Sequence, residues 1–206
     1  FSYDLNLVKF TIMKNLILLL LFIPLVSFGQ TTKLEANLPF SEISEYPTEF
    51  SQANIVSRMI EGLGYRYYWA TKSLTEKDLN YKSSDDARST LQIIEHIYSL
   101  TEMISSSFKK NEFEFTFVKG NYNELREKTL LNLKYIQGEL KSNPDFSQLS
   151  LRFERGGTKM EFPFWNQING PISDALWHCG QVVMNRRASG NPLQSGVNVF
   201  IGKTSY

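Results

Sequence analysis

Four amphipathic stretches, the polar connections between them and one Gly-Gly turn predict an all-α fold, an antiparallel four-helix bundle with a small β-hairpin inserted before the last helix. Each long stretch repeats apolar residues at three- and four-residue steps and so presents one apolar stripe. A bundle is the simplest way to bury four stripes in one core.

The first residues stand apart from that fold. Met13 to Gln30, MKNLILLLLFIPLVSFGQ, has the layout of a secretory signal peptide over residues 13–29. Lys14 is the positive start, Leu16 to Val26 the apolar run with Pro24 inside it, and Ser27 and Gly29 the small residues before the cut at Gln30. The apolar run is too short to span a bilayer. Residues 1–12 read as sequence translated upstream of a start at Met13. The expected location is the periplasm or the exterior, with no stable membrane anchor after cleavage.

Residues 30–50, with Pro39 and Pro47 and no sustained period, read as an arm lying on the domain. Ser51 caps a first helix to about Ser73, in which Val56, Met59, Ile60, Leu63, Tyr67 and Ala70 face inward. TEKDLNYKSSDD is a polar connection. A second helix starts after Ser84 or Asp85, with acids suited to its dipole, and runs to about Phe108 through Leu91, Ile94, Ile97, Leu100 and Ile104. NEFEFTFVKG, residues 111–120, alternates as a short strand or an extended crossover. Asn121 or Asn123 caps a third helix, Glu124 to about Lys141, burying Leu125, Leu130, Leu133, Ile136 and Leu140. Residues 149–164 alternate on both sides of Gly156-Gly157, a hairpin signature. The last helix covers about Ile172 to Ala188, with an earlier turn from Trp165, and Ser189-Gly190-Asn191-Pro192 stops it. The domain thus spans residues 51–192, and residues 193–206 form a C-terminal tail.

With 22 basic and 21 acidic side chains, the chain carries a formal charge of +1. That balance offers no electrostatic footprint for nucleic acid. Cys179 is the only cysteine, so no internal disulfide can form. No glycine-rich phosphate loop, paired-carboxylate set or Ser-His-Asp set can be assembled.

The chemistry-bearing residues are therefore few. Of the two histidines, His96 lies within about 100° of Ile93, Ile97, Leu100 and Ile104 around the second helix and points toward the bundle. On the last helix Asp174, His178, Gln181 and Asn185 form a polar stripe beside the apolar one of Ile172, Ala175, Cys179, Val182 and Val183. Such a stripe either faces solvent or lines a cleft. On spacing alone, Asp174 is equally a first-turn acid favoured by the helix dipole. Cys179 lies about 100° round the helix from His178, toward the apolar stripe, and reads as a buried small hydrophobe. Glu95 reads as a solvated acid, and Gln181 as a solvated amide or a group orienting a ligand. Tyr65, Tyr67, Tyr68 and Trp69 with Arg66, and Phe162, Phe164 and Trp165, are core aromatics or the lining of a pocket. Arg186 and Arg187 suit the dipole at the helix end, with anion binding the lesser reading.

IIEHIYSL around His96 and DALWHCGQ, residues 174–181, resemble the DinB-like superfamily of four-helix bundles, which includes YfiT-type proteins and thiol-dependent transferases. In that family one histidine comes from the second helix and two from a His-x-x-x-His-x-Gly-Gln pattern on the last. His96 and His178 match two of the three, and Gly180-Gln181 match the Gly-Gln. The resemblance extends over about Gln52 to Pro192. Asp174 stands where the family commonly has histidine, and a carboxylate is a competent ligand there.

The resemblance implies a divalent metal, zinc, nickel or iron(II), held by His96, Asp174 and His178, with Gln181 in support. It also implies metal-dependent hydrolysis or transfer on a small-molecule substrate. Export weighs against a cytosolic thiol as co-substrate. A non-catalytic periplasmic binding or stress-response protein without a working metal site is the competing expectation, and homodimerisation is left open.

Overall fold

The computed structural model describes residues 38–115 and 119–205. The proposed signal peptide, the residues before it and residues 30–37 lie outside the described residues. Five α-helices of more than one turn form the frame of the described residues: α1 Gln52–Thr71, α2 Glu76–Asn80, α3 Thr90–Lys109, α4 Tyr122–Leu140 and α5 Ser173–Ser189. Two antiparallel hairpins accompany them, β1 Ser150–Arg155 with β2 Thr158–Pro163, and β3 Val197–Asn198 with β4 Lys203–Thr204. The fold is mostly helical with a small hairpin ahead of its last long helix, as the sequence predicts at that level. None of the described helices is long and apolar enough to cross a membrane.

The helix starts follow local capping chemistry. Ser51 accepts a hydrogen bond from the Asn54 amide and opens α1. Asn121 does the same for α4 through the Asn123 amide. α3 departs from expectation, beginning at Thr90 rather than after Ser84 or Asp85 and carrying no acid in its first turn. The reason is a capping box: Ser89 accepts from the Gln92 amide while Gln92 accepts from the Ser89 amide, so two otherwise orphaned donors are met reciprocally. The polar connection before it is likewise not featureless. Thr75 and Asp78 form a second capping box that nucleates α2.

The core lies where α1 packs on α4 and α5, and α3 packs on the same two helices. Ile60, Leu63, Ile94, Ile97, Ile104, Leu130, Leu133, Ile136, Ile172, Ala175 and Val182 are fully buried there. The first hairpin turns at Gly156 and Gly157, whose φ of +59° and +76° suit the primed turn that a two-residue hairpin requires. Residues 111–115 contribute a single parallel bridge, Phe113 to Phe153, and no regular strand.

The residues flanking the domain pack together. The Ile43 amide bonds the Gly202 carbonyl, and Tyr65 donates through its hydroxyl to the Lys203 carbonyl at 2.7 Å. Trp69 donates to the Ser41 carbonyl and Arg58 to the carbonyls of Ser44 and Glu45. The α1 aromatic cluster is therefore core and anchorage, with Tyr65, Tyr67, Tyr68 and Trp69 all buried. Gly64 lets the Phe40 ring seat on α1, since a Cβ would lie 2.5 Å from the ring.

Candidate metal centre

The last helix reaches its site through an irregular lead-in. A single α-turn, Trp165–Gln167, passes into a π-helical turn, Ile168–Ile172, that contains Pro171 and a non-helical Gly170. Turns of this kind recur next to functional sites. α5 then begins with Asp174 in its first turn, and one helical turn later His178 stands on the same face. His96, midway along α3, meets them from the facing helix. One nitrogen of each imidazole and one carboxylate oxygen lie within 4.8 Å of one another.

The Asp174 carboxylate sits between the imidazoles. Its Oδ2 is 3.3 Å from His96 Nε2 and its Oδ1 is 3.4 Å from His178 Nε2. The two rings meet edge to face with centroids 4.7 Å apart. These N–O separations are long for hydrogen bonds, which cluster near about 2.9 Å. Ligand bonds of about 2.0–2.1 Å place two tetrahedral donors about 3.3–3.4 Å apart, close to each of these N–O separations, which involve the two different oxygens of the carboxylate.

The tautomer of His178 points the same way. Its Nδ1 lies 2.7 Å from Gln181 Oε1, an oxygen that can only accept, so Nδ1 carries the proton. In the neutral ring Nε2 then turns a lone pair toward a carboxylate oxygen. A metal ion between the two would be shared by that lone pair and the carboxylate. For His96, burial, the neighbouring His178 and Arg88 lower the pKa, against the pull of Asp174, and so favour the neutral ring that a metal requires. The donor set is one that a divalent ion could use, and the Gln181 contact leaves His178 Nε2 facing Asp174.

Burial grades across the cluster. The His178 side chain is 11% exposed, that of His96 31% and that of Asp174 44%, so the carboxylate side is open to solvent. Asp174 also borders a cleft of about 530 Å³ whose walls include Leu100, Met103, Pro171 and Trp177.

The other singled-out residues go elsewhere. Cys179 is buried, as its angle predicts, and burial pushes its thiol up to about 12, so it is no thiolate at neutral pH. Glu95 is half-buried and takes no part in the cluster. Asn185, expected on the polar stripe, is buried and donates to Thr90. Arg186 is buried too, and its guanidinium donates to the Trp69 and Ala70 carbonyls and to Asn191 rather than facing an anion. Phe164 packs between Phe108 and Phe146, while Trp165 is exposed.

Sequence reasoning missed Trp177 and the cleft it borders. The signal was present, since Trp177 follows Asp174 by three residues and so shares its face. No protein-family model, curated protein or solved structure matches the chain.

Proposed function

We propose that this chain is an exported, DinB-like four-helix bundle that binds one divalent metal through His96 Nε2, the Asp174 carboxylate and His178 Nε2. The pairwise packing of α1 and α3 on α4 and α5 supports the bundle reading. The observation that carries the metal reading is the carboxylate placed 3.3 and 3.4 Å from two Nε2 atoms, with the far nitrogen of His178 held by Gln181.

Three protein donors leave further coordination positions, the condition for metal-assisted chemistry rather than a closed structural site. A bound ion would supply Lewis acidity toward a substrate oxygen or sulfur, consistent with a hydrolase or transferase. The chain's own residues supply the rest: His96 and Asp174 face the open side, Gln181 fixes His178, and the cleft beside Asp174 receives substrate.

Protein purified without a histidine tag should carry one equivalent of zinc, nickel or iron(II) by elemental analysis. A metal-free preparation that takes up none of the three on addition would leave the competing reading, a non-catalytic binding or stress-response protein with a hydrogen-bonded His-Asp-His set.

A further inference from the structure

The cleft beside the cluster has a definite chemical character. Leu100 and Met103 from α3 face Pro171 and Trp177, so a thioether, hydrocarbon and an indole form its walls, and Asp174 is its charged group. At about 530 Å³ it is the size of a small-molecule site rather than a peptide groove. Trp177 is 73% exposed. Because it follows Asp174 by three residues, its indole and the carboxylate stand side by side on one helix face. Ser173, on the rim, already donates to the Ile168 carbonyl, leaving Asn169 to offer an amide.

Those walls select against two ligand classes. A sugar or other polyol would leave most of its hydroxyls without partners, and a charged body would lose hydration with no opposite charge beyond the cluster to receive it. A flat apolar body loses nothing there and gains the bare indole face and the Met103 sulfur, both favourable neighbours for a ring.

Resting on the metal reading above, we propose that the cleft binds a small aromatic compound whose metal-ligating head reaches the His96–Asp174–His178 cluster and whose uncharged ring packs on Trp177. Trp177 is then the residue that sets specificity for the ring.

Two hydroxamic acids with the same chelating head separate the contributions. In calorimetric titrations of the zinc-loaded full chain, benzohydroxamic acid should bind about tenfold more tightly than acetohydroxamic acid, the scale of one ring packed on an aromatic wall. Trp177→Ala should erase most of that preference while leaving zinc stoichiometry and the acetohydroxamic acid affinity unchanged. Trp177→Phe should retain most of it. Because Trp177 is exposed, these variants are expected to fold, and far-ultraviolet circular dichroism checks this.

Equal affinity for the two acids, no binding of either to zinc-loaded protein, or a preference that survives in Trp177→Ala overturns the aromatic-ligand inference and leaves the metal site standing. A chain that takes up no zinc at all overturns the metal reading, and the inference falls with it.

Discussion

The two ends of α5 each carry a polar cluster built with a partner helix, and they are opposite in kind. At the C-terminal end Asp78 of α2 accepts from Thr75, Ser189 and Asn191, and Arg186 closes the last carbonyls of α1. Asp78 is 1% exposed, and each carboxylate oxygen has a donor. At the N-terminal end Asp174 is part-exposed and faces two imidazole nitrogens at distances too long for good hydrogen bonds. A saturated, buried cluster holds a fold together. An unsaturated one at the rim of a cleft retains bonding capacity for something the chain does not supply.

The clasp at the C-terminal end gives the largest expected effect. Asp78→Ala takes away the acceptor of the Thr75 amide and leaves Ser189 and Asn191 only the Arg186 and Ser73 carbonyls, and it should cost about 3 kcal/mol in urea unfolding. Zinc stoichiometry of the folded fraction should not change. A loss under about 1 kcal/mol would mean that the clasp is not the structural member of the pair.

Acid should open the same clasp. Burial alone would raise the Asp78 pKa, but hydrogen bonds from Asn191, Ser189 and Thr75 outweigh it and hold the carboxyl down at about 2, against an ordinary 3.8. A carboxyl with a depressed folded pKa adds stability that is complete above its unfolded value and lost as pH falls through the folded one. The contribution, on the order of 2 kcal/mol, should therefore disappear between about pH 4 and pH 2. Asp78→Asn should flatten that part of the stability-against-pH curve.

The smallest effect belongs to the open cluster's support. Gln181→Ala removes the acceptor that orients His178 and should weaken zinc binding about tenfold, with unfolding free energy in chelator changed by less than about 0.5 kcal/mol. An unchanged zinc affinity would show that the 2.7 Å contact does not set the tautomer.

The helices were far more legible in the sequence than the contrast between the two clusters. Apolar periodicity placed the four long helices, because it reports the buried face directly, and Leu125, Leu130, Leu133, Ile136 and Leu140 are all buried as their spacing requires. The α3 start was misplaced because Ser84 and Asp85 are good caps in isolation, while only Ser89 has a glutamine three residues on to complete the reciprocal pair. For the candidate site, the spacing of Asp174, His178 and Gln181 was readable along one helix. The distance from His96 was not, because it depends on how α3 packs against α5. The clasp was invisible for the same reason: Asp78 and Ser189 lie 111 residues apart. Arg186 looked like a dipole partner because a sequence does not show which carbonyls a buried guanidinium will reach.

We expect the two clusters to be separable, one serving binding and one serving stability. That separation is tested most directly by titrating zinc into chelator-stripped, untagged wild type, His178→Ala and Ser189→Ala, with an unfolding curve for each in chelator. Wild type should bind one zinc. His178→Ala should bind none and unfold in chelator within about 1 kcal/mol of wild type, since it removes a ligand and only part of a buried ring contact. Ser189→Ala should bind one zinc with wild-type affinity and lose about 1–2 kcal/mol, the cost of one buried hydrogen bond. A His178→Ala protein that still binds one zinc, or a folded Ser189→Ala protein that binds none, would contradict the claim.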